Sequence, residues 1–487
     1  MCLRTELPWV DSCWYHVLAS QMAEGRGVHV YLGERVMPPS PQPGYVSLLS
    51  CVYNCTGPRV WVGSLISAIS FLGTAFVMGS LVRRRFGIEC ALVTAAVVAW
   101  CYPIRTVSAS IMSDPLGALL CALLLAWMGW SHSPRRREEP PSLLLGCLCG
   151  MAVLVRIVNG ILVPTVALTI LYSSRRPLRN LVLFVVGGLP FLGLLLSWNW
   201  IAFGHPLRTS YQVYSGLYHP EYQLFSPRYA LPNLQGEGIQ KLLGHFLFLP
   251  YVLLSGGSFA GEGLFPVLLL AIPSLPYWLA KKRFHLFLPL AACCLFYWLL
   301  LSFYLYASQR MLVPAFLALL ILGQPALKRL LEGMQGIPRI GPLLPAIVVL
   351  GLLAPAMERG ARESVSLKWH EGDQWGLCQW IDENTESDAI IVSGWQILME
   401  TYANRTSIPF WEALDEKGAP CPLLRSGRPV YVQLDWYSRN LWGDQVLEAL
   451  KRNAEGETVC APQGEFLKMR FGVLEERSVQ GRVGTTL

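Results

Sequence analysis

Several acids and arginines in this chain have the types and spacing for acid–base and phosphate chemistry. Near the start, Asp11, Tyr15 and Ala19 recur at intervals of four, followed by Gly25 and Gly27. On a helix such residues share one face, so an acid and an aromatic ring would project together. The plainer alternative is a solvated loop with an ordinary surface aspartate. Asp114 follows Ser113 at the opening of an apolar run, where a carboxylate is also a routine helix cap. Arg156 is embedded in the apolar stretch Val-Leu-Val-Arg-Ile-Val-Asn-Gly. A charge inside a span is costly and points to function by default, with snorkelling to the headgroups as the competing explanation. Arg310 opens another run, Ser-Gln-Arg-Met-Leu-Val-Pro, as a ligand or as an interfacial anchor. Arginine holds phosphate oxygens in bidentate fashion, and a carboxylate can take the proton of an acceptor hydroxyl. Two acids and two arginines on one membrane face therefore suit a phosphate-bearing lipid.

What must position these residues is a set of membrane helices. Of 487 residues, 53% are hydrophobic and only 15% charged, against roughly a quarter charged in soluble chains. The apolar residues gather in runs, and a bilayer takes about 20 residues per helix. Spans are expected at 60–81, 90–102 and 114–130, then as two short helices within 142–172, broken near Asn159-Gly160 and Pro164. Further spans are expected at 181–202, 264–280, 284–306, 311–322 and 343–354, with 242–254 re-entrant or interfacial. That makes about ten. If the loops alternate sides, all the basic clusters fall together: Arg83-Arg84-Arg85, Arg135-Arg136-Arg137, Arg175-Arg176 with Arg179, Lys281-Lys282-Arg283 and Lys328-Arg329. Positive short loops mark the cytoplasm. Residues 1–58, the loop around Ser113, the 203–241 loop, the 308–310 turn and everything after Ala356 are then outside. A polar leading segment that crosses a membrane needs a helix ahead of it, so a further helix is expected upstream of Met1.

The expected fold class is an all-α polytopic membrane protein with a small C-terminal α/β extracytoplasmic domain. It divides into a first outer loop with the acidic motif (1–58), a multi-span domain (59–356) and the tail (357–487). In the tail, 373–384 and 445–452 read as helices, and 388–393, 429–434 and 466–473 as strands. The net charge of +7 lies in short clusters between apolar runs, which argues against nucleic acid. The fourteen cysteines include no C-x-x-C and no zinc spacing. Cys51 and Cys55 could pair outside the cell. Asn54-Cys55-Thr56 and Asn404-Arg405-Thr406 match the glycosylation sequon, which matters only in a eukaryotic host.

Four stretches resemble the GT-C superfamily of membrane glycosyltransferases, in particular the bacterial group related to protein mannosyltransferases and aminoarabinose transferases. They are Asp11 to Gly25 with the following PPSPQPGY, GCLCGMAVLVRIVNGILVP from Gly146, SWNWIAFGHPLRTSY from Ser197, and SQRMLVPAF from Ser308. The resemblance implies transfer of a sugar from a polyprenyl-phosphate donor to a lipid, glycan or protein acceptor on the extracytoplasmic side. The family's first-loop aspartate maps onto Asp11 as general base, although Ser12 stands where many members have a second acid. An inverting displacement is expected, with the leaving lipid phosphate held by Arg156 or Arg310. Tyr15, Asp114, His205, Arg208 and Tyr211 are further candidates near the site; interface anchoring or loop packing would account for the aromatic and basic ones equally well. No cofactor is called for, and a divalent metal stays open. The expected setting is a bacterial inner membrane, with membrane lipids as neighbours. Rival readings are a non-catalytic envelope-assembly scaffold of the same fold and a lipid or solute transporter. Transporters often repeat in two halves, which this sequence does not.

Overall fold

A computed structural model describes residues 10–32, 35–100, 107–131, 141–210, 212–213, 265–280, 284–302, 313–335, 376–414, 419–434, 443–452, 454–461 and 464–471. Its contacts divide the chain into two units: Met1–Val30 with Val36–Leu367, and Tyr31–Arg35 with Lys368–Leu487.

The first unit is helical. Its helices are α1 (Val10–Ala23), α2 (Pro43–Thr56), α3 (Val60–Phe86), α4 (Ile88–Trp100), α5 (Ser113–Ser131), α6 (Ser142–Val155), α7 (Leu162–Ser173), α8 (Pro177–Phe203), α9 (Phe265–Ala280), α10 (Phe284–Ser302) and α11 (Val313–Gln335). Two short strands, β1 (Val30–Leu32) and β2 (Arg35–Met37), pair between α1 and α2. Among the described residues, Val60–Phe86, Pro177–Phe203 and Val313–Gly333 are long and apolar enough to cross a membrane. The chain is an integral membrane protein. Along α8, large apolar side chains such as Leu178, Val182, Leu189 and Leu194 are exposed, as expected of a surface solvated by lipid.

The leading segment carries the helix that the Asp11, Tyr15 and Ala19 spacing suggests, and a second one: α1 and α2 are both fourteen-residue helices. Pro43 starts α2, where its missing N–H costs nothing, and Gly57 (φ +76°) ends it. Cys51 and Cys55 sit one turn apart on α2 as free, exposed thiols, so the pairing considered above is not formed. The break expected near Asn159-Gly160 is present: α6 ends before Arg156 (φ −149°, ψ 117°), and a 3-10 turn, Ile157–Ile161, carries Asn159 and Gly160 before α7 begins. Pro164 lies in the first turn of α7, which tolerates it. The span expected at 311–322 continues to Gln335 through Pro325. An interior proline strands backbone groups. Here Trp278 Nε1 donates to the Leu322 carbonyl (2.9 Å), Ser274 Oγ donates to that of Gly323 (3.2 Å), and the Ala326 amide donates to Ser274 Oγ (2.9 Å). Lys328 and Arg329 therefore lie on a helix, not in a loop. The 242–254 and 343–354 stretches fall outside the described residues.

Glycine sets the closest helix crossing. A Cβ on Gly146 of α6 would run into the Phe184 carbonyl of α8, and one on Gly187 into the Leu143 carbonyl of α6. Small residues let backbones approach in this way in membrane proteins.

The second unit carries a five-stranded sheet ordered β4-β3-β5-β7-β6, from β3 (Ile390–Val392), β4 (Thr406–Ile408), β5 (Val430–Leu434), β6 (Ala454–Ala461) and β7 (Gly464–Phe471). β3 runs parallel to β4 and β5, while β7 is antiparallel to β5 and β6. Helices cover 376–384, Gln396–Tyr402 and Gly443–Arg452. Ile390, Val392, Val430, Val432 and Leu450 pack in one core. The buried Arg405 clamps the end of the 376–384 helix through Asp382 Oδ1 (3.0 Å) and the Thr385 carbonyl (3.0 Å).

Substituting Gly187→Leu is expected to destabilise the helical unit by at least the roughly 1–3 kcal/mol typical of overpacking. Gly193→Leu, which meets nothing within 4 Å, should be near neutral. Thermal unfolding in detergent compares the two.

Candidate active site

The site is built where α2 abuts the end of α6. Gly44, in the first turn of α2, presses on the end of α6, where an added Cβ would lie 2.7 Å from Leu154 C and Val155 N. α2 is thereby set against the residue just before the break at Arg156. The next residue, Tyr45, is wholly buried and shares hydrogen bonds with Ser67 Oγ (3.0 Å) and the Gly63 carbonyl (3.3 Å) of α3. Ser67 in turn donates to the Met112 carbonyl (3.1 Å) and accepts from the Met112 amide (3.2 Å). That exchange fixes the backbone just ahead of α5.

α1 docks on the same place. The ring of Tyr15 packs edge-on against Tyr45 (centroids 5.0 Å apart, 87° between planes), and its hydroxyl bonds to Ser113 Oγ at 2.7 Å. Burial raises the Tyr15 pKa, with the charges of Asp114 and Asp11 adding to it and Ser113 and Arg156 opposing it. Tyr15 is therefore a neutral phenol with both acids in electrostatic reach. Asp11 stands four residues earlier on the same face of α1.

Asp114, in the first turn of α5, receives Arg156 Nη1 in an ion pair; their side chains are 5% and 13% exposed. The helix N-terminus also favours the carboxylate. Arg156 reaches it across Gly117, where an added Cβ would sit 3.1 Å from Arg156 Cδ and 3.2 Å from Asn159 Nδ2. Buried Asn159 donates to the Ala152 carbonyl (3.1 Å) and accepts from Tyr297 Oη of α10 (3.2 Å). The break at Arg156 is thus tied to α2, α5, α6 and α10.

Asp11, Tyr15, Asp114 and Arg156 are therefore brought together. His205 and Arg208 are not: they are exposed and held in their own turn, where His205 Nδ1 accepts from the Leu207 amide (3.2 Å) and the Arg208 amide donates to the His205 carbonyl (3.1 Å). Arg310 and Tyr211 lie outside the described residues. Sequence reasoning missed Ser67, Gly117 and Tyr297, and used Asn159 only as a break signal. The Asp-Pro-Leu-Gly spacing at 114–117 was the one available hint, a small residue one turn after an acid.

Residues 40–200 match the family model for dolichyl-phosphate-mannose-protein mannosyltransferase. That segment includes Tyr45, Asp114 and Arg156 but not Asp11 or Tyr15. The crystal structure of apo ArnT from Cupriavidus metallidurans is similar over 96% of this chain and 94% of that one, with a TM-score of 0.59 at 18% identity. The chain shares the fold of ArnT. ArnT bound to undecaprenyl phosphate is similar over the same shares, with a TM-score of 0.58 at 17% identity. AglB, the oligosaccharyltransferase of Archaeoglobus fulgidus, in complex with an inhibitory peptide and a dolichol-phosphate, is similar over 94% of this chain and 70% of its own, with a TM-score of 0.53 at 13% identity. No curated protein matches the chain.

Within this fold, Asp114→Ala should cost about 3–5 kcal/mol, because it strands a buried guanidinium. Adding Arg156→Met should restore much of that loss, and thermal unfolding of the double-mutant cycle measures the coupling. A second expectation concerns His16, whose Nδ1 lies 2.8 Å from Tyr53 Oη. Burial pushes its pKa down to about 4 from 6.5. The fold prefers the neutral ring, so the stabilisation is fully present above pH 6.5 and is lost as pH falls towards 4. The span amounts to roughly 3 kcal/mol. His16→Gln should flatten the stability profile across that window.

Proposed function

We propose that this chain transfers a sugar from a polyprenyl-phosphate-linked donor to an acceptor on the extracytoplasmic face, by an inverting, metal-independent displacement. The observation that carries this reading is the docking of α1 on the opening of α5. The Tyr15–Ser113 bond sets the helix face bearing Asp11 beside the Asp114–Arg156 pair. An acid with access to the outer loop and an arginine held at a helix break are the two groups the reaction needs.

Asp11 takes the proton of the acceptor hydroxyl as the acceptor oxygen bonds to the anomeric carbon. The bond from that carbon to the phosphate oxygen breaks on the opposite face, which inverts the configuration. The lipid phosphate leaves with the electron pair, its growing charge met by Arg156 and by Arg310. Asp114 holds the Arg156 guanidinium in place, so the phosphate shares that cation rather than recruiting a mobile one. A monophosphate leaving group with arginine partners needs no metal. Tyr15 remains a donor and positions Asp11. Undecaprenyl phosphate in ArnT and dolichol-phosphate in AglB are lipids of the class proposed for the donor. The acceptor is a lipid, glycan or protein, and the setting a bacterial inner membrane with the tail outside.

The test is sugar release by the full-length protein from a radiolabelled panel of polyprenyl-phosphate sugars, beside Asp11→Asn. Turnover should fall by about 10²–10⁴ in the variant. Equal turnover by both proteins would remove Asp11 as base. No turnover by either, in protein shown to be folded, would favour a non-catalytic scaffold.

A further inference from the structure

Arg156 is gripped through its backbone as well as its side chain, and Asn159 has a part in every backbone bond. The Arg156 amide donates to the Ala152 carbonyl (3.0 Å), and the Arg156 carbonyl accepts from the Asn159 amide (2.9 Å). Asn159 Nδ2 adds a second donor to that same Ala152 carbonyl (3.1 Å). Two further groups hold the side-chain oxygen of Asn159. Tyr297 Oη donates to it from α10 at 3.2 Å, and Cys121 Sγ from α5 at 3.8 Å. All three side chains are buried, where a polar group is costly unless it is bonded. A 3-10 turn closes on backbone bonds alone. The Asn159 side chain is therefore surplus to closing the break and ties it to α10 instead.

The spacing on α5 fits the same task. Asp114, Gly117 and Cys121 recur at three and four residues, on one helix face. Asp114 takes the guanidinium, Gly117 admits the arginine stem beside the Asn159 amide, and Cys121 meets the Asn159 oxygen. A line of contacts thus runs from Tyr297 through Asn159 to the backbone of Arg156, and on to its charged end.

We propose that Asn159 and Tyr297 are positioning residues, which fix the Arg156 guanidinium where it meets the phosphate of a polyprenyl-phosphate lipid. Neither touches the lipid itself. The inference rests on the reading of Arg156 as a phosphate ligand under Proposed function. A guanidinium holds phosphate through a planar fork, so its grip depends on orientation, and a small shift of the stem is felt at the phosphate. Lysine carries its charge as a point on a flexible stem and lacks that dependence.

Full-length protein in detergent is titrated with undecaprenyl phosphate or with undecaprenol, and bound lipid is counted by native mass spectrometry. Tyr297→Phe removes the hydroxyl and keeps the ring. It should weaken undecaprenyl phosphate about fivefold, the effect of one hydrogen bond, and leave undecaprenol unchanged. Arg156→Lys should weaken the phosphate lipid about tenfold, and adding Tyr297→Phe to it should bring no further loss. Unchanged phosphate binding in Tyr297→Phe would overturn the proposal, and so would equal losses of the two lipids, which would mean a loosened core. Losses that multiply in the double variant would overturn it as well, because Tyr297 would then act apart from Arg156. In these three cases the weakening by Arg156→Lys leaves the phosphate role of Arg156 standing. If Arg156→Lys binds undecaprenyl phosphate as the wild type does, that role fails and the inference falls with it. Should Tyr297→Phe fail to fold, Cys121→Ala removes the other donor to the Asn159 oxygen and takes its place in the same cycle.

Discussion

A buried charge pair at a broken helix is the constraint around which the helical unit is arranged. Taking Arg156 and Asp114 out of water costs several kcal/mol per ion, and only close pairing with good polar support offsets it. The chain supplies that support from every side. The N-terminus of α5 favours the carboxylate, Gly117 opens the path for the arginine stem, and Gly44 lets α2 close over the backbone just before the break. Tyr15 and Tyr45 seal the approach, each with its hydroxyl bonded to a serine. A charge held in this way cannot swing to solvent, and preorganised charge of this kind is what the proposed sugar transfer would use at its leaving phosphate.

The same membrane constraint explains features away from the site. No water is available in the bilayer core to satisfy stray backbone groups. The helix break at Arg156 is tolerated because it is enclosed by protein. The proline in α11 is tolerated because Ser274 and Trp278 satisfy the groups around it. Where α6 crosses α8, at Gly146 and Gly187, glycine allows the backbones to meet instead. Pairing, side-chain capping and small-residue contact are three answers to one requirement.

The tail obeys the rules of a soluble domain. Its parallel strands β3 (Ile-Ile-Val) and β5 (Val-Tyr-Val-Gln-Leu) are mostly apolar and buried, and were legible for that reason. The strand β4 is three residues long, and β6 (Ala-Glu-Gly-Glu-Thr-Val-Cys-Ala) is a polar edge strand. Neither carried a pattern strong enough to be read: three residues are too few to show a period, and β6, which pairs with the adjacent β7, carries two glutamates and a glycine in its first half.

The sequence by itself determined the membrane class and the positions of most of the apolar helices that the structure describes. Each of these depends on local composition, and the cost of moving an apolar or charged residue across a bilayer is nearly independent of context. It also singled out Asp11, Tyr15, Asp114 and Arg156, because an ionisable group in or beside a span is conspicuous in any fold. Only the tertiary structure decided that Arg156 pairs with Asp114, that Tyr15 docks on Ser113, and that His205 and Arg208 stay in their own turn. It alone put the start of the helix break at Arg156, kept Pro164 inside α7 and carried α11 through Pro325. Partners separated by tens to hundreds of residues leave no local trace. Whether a proline or a charge breaks a helix depends on which side chain waits across the interface to take up the groups it frees.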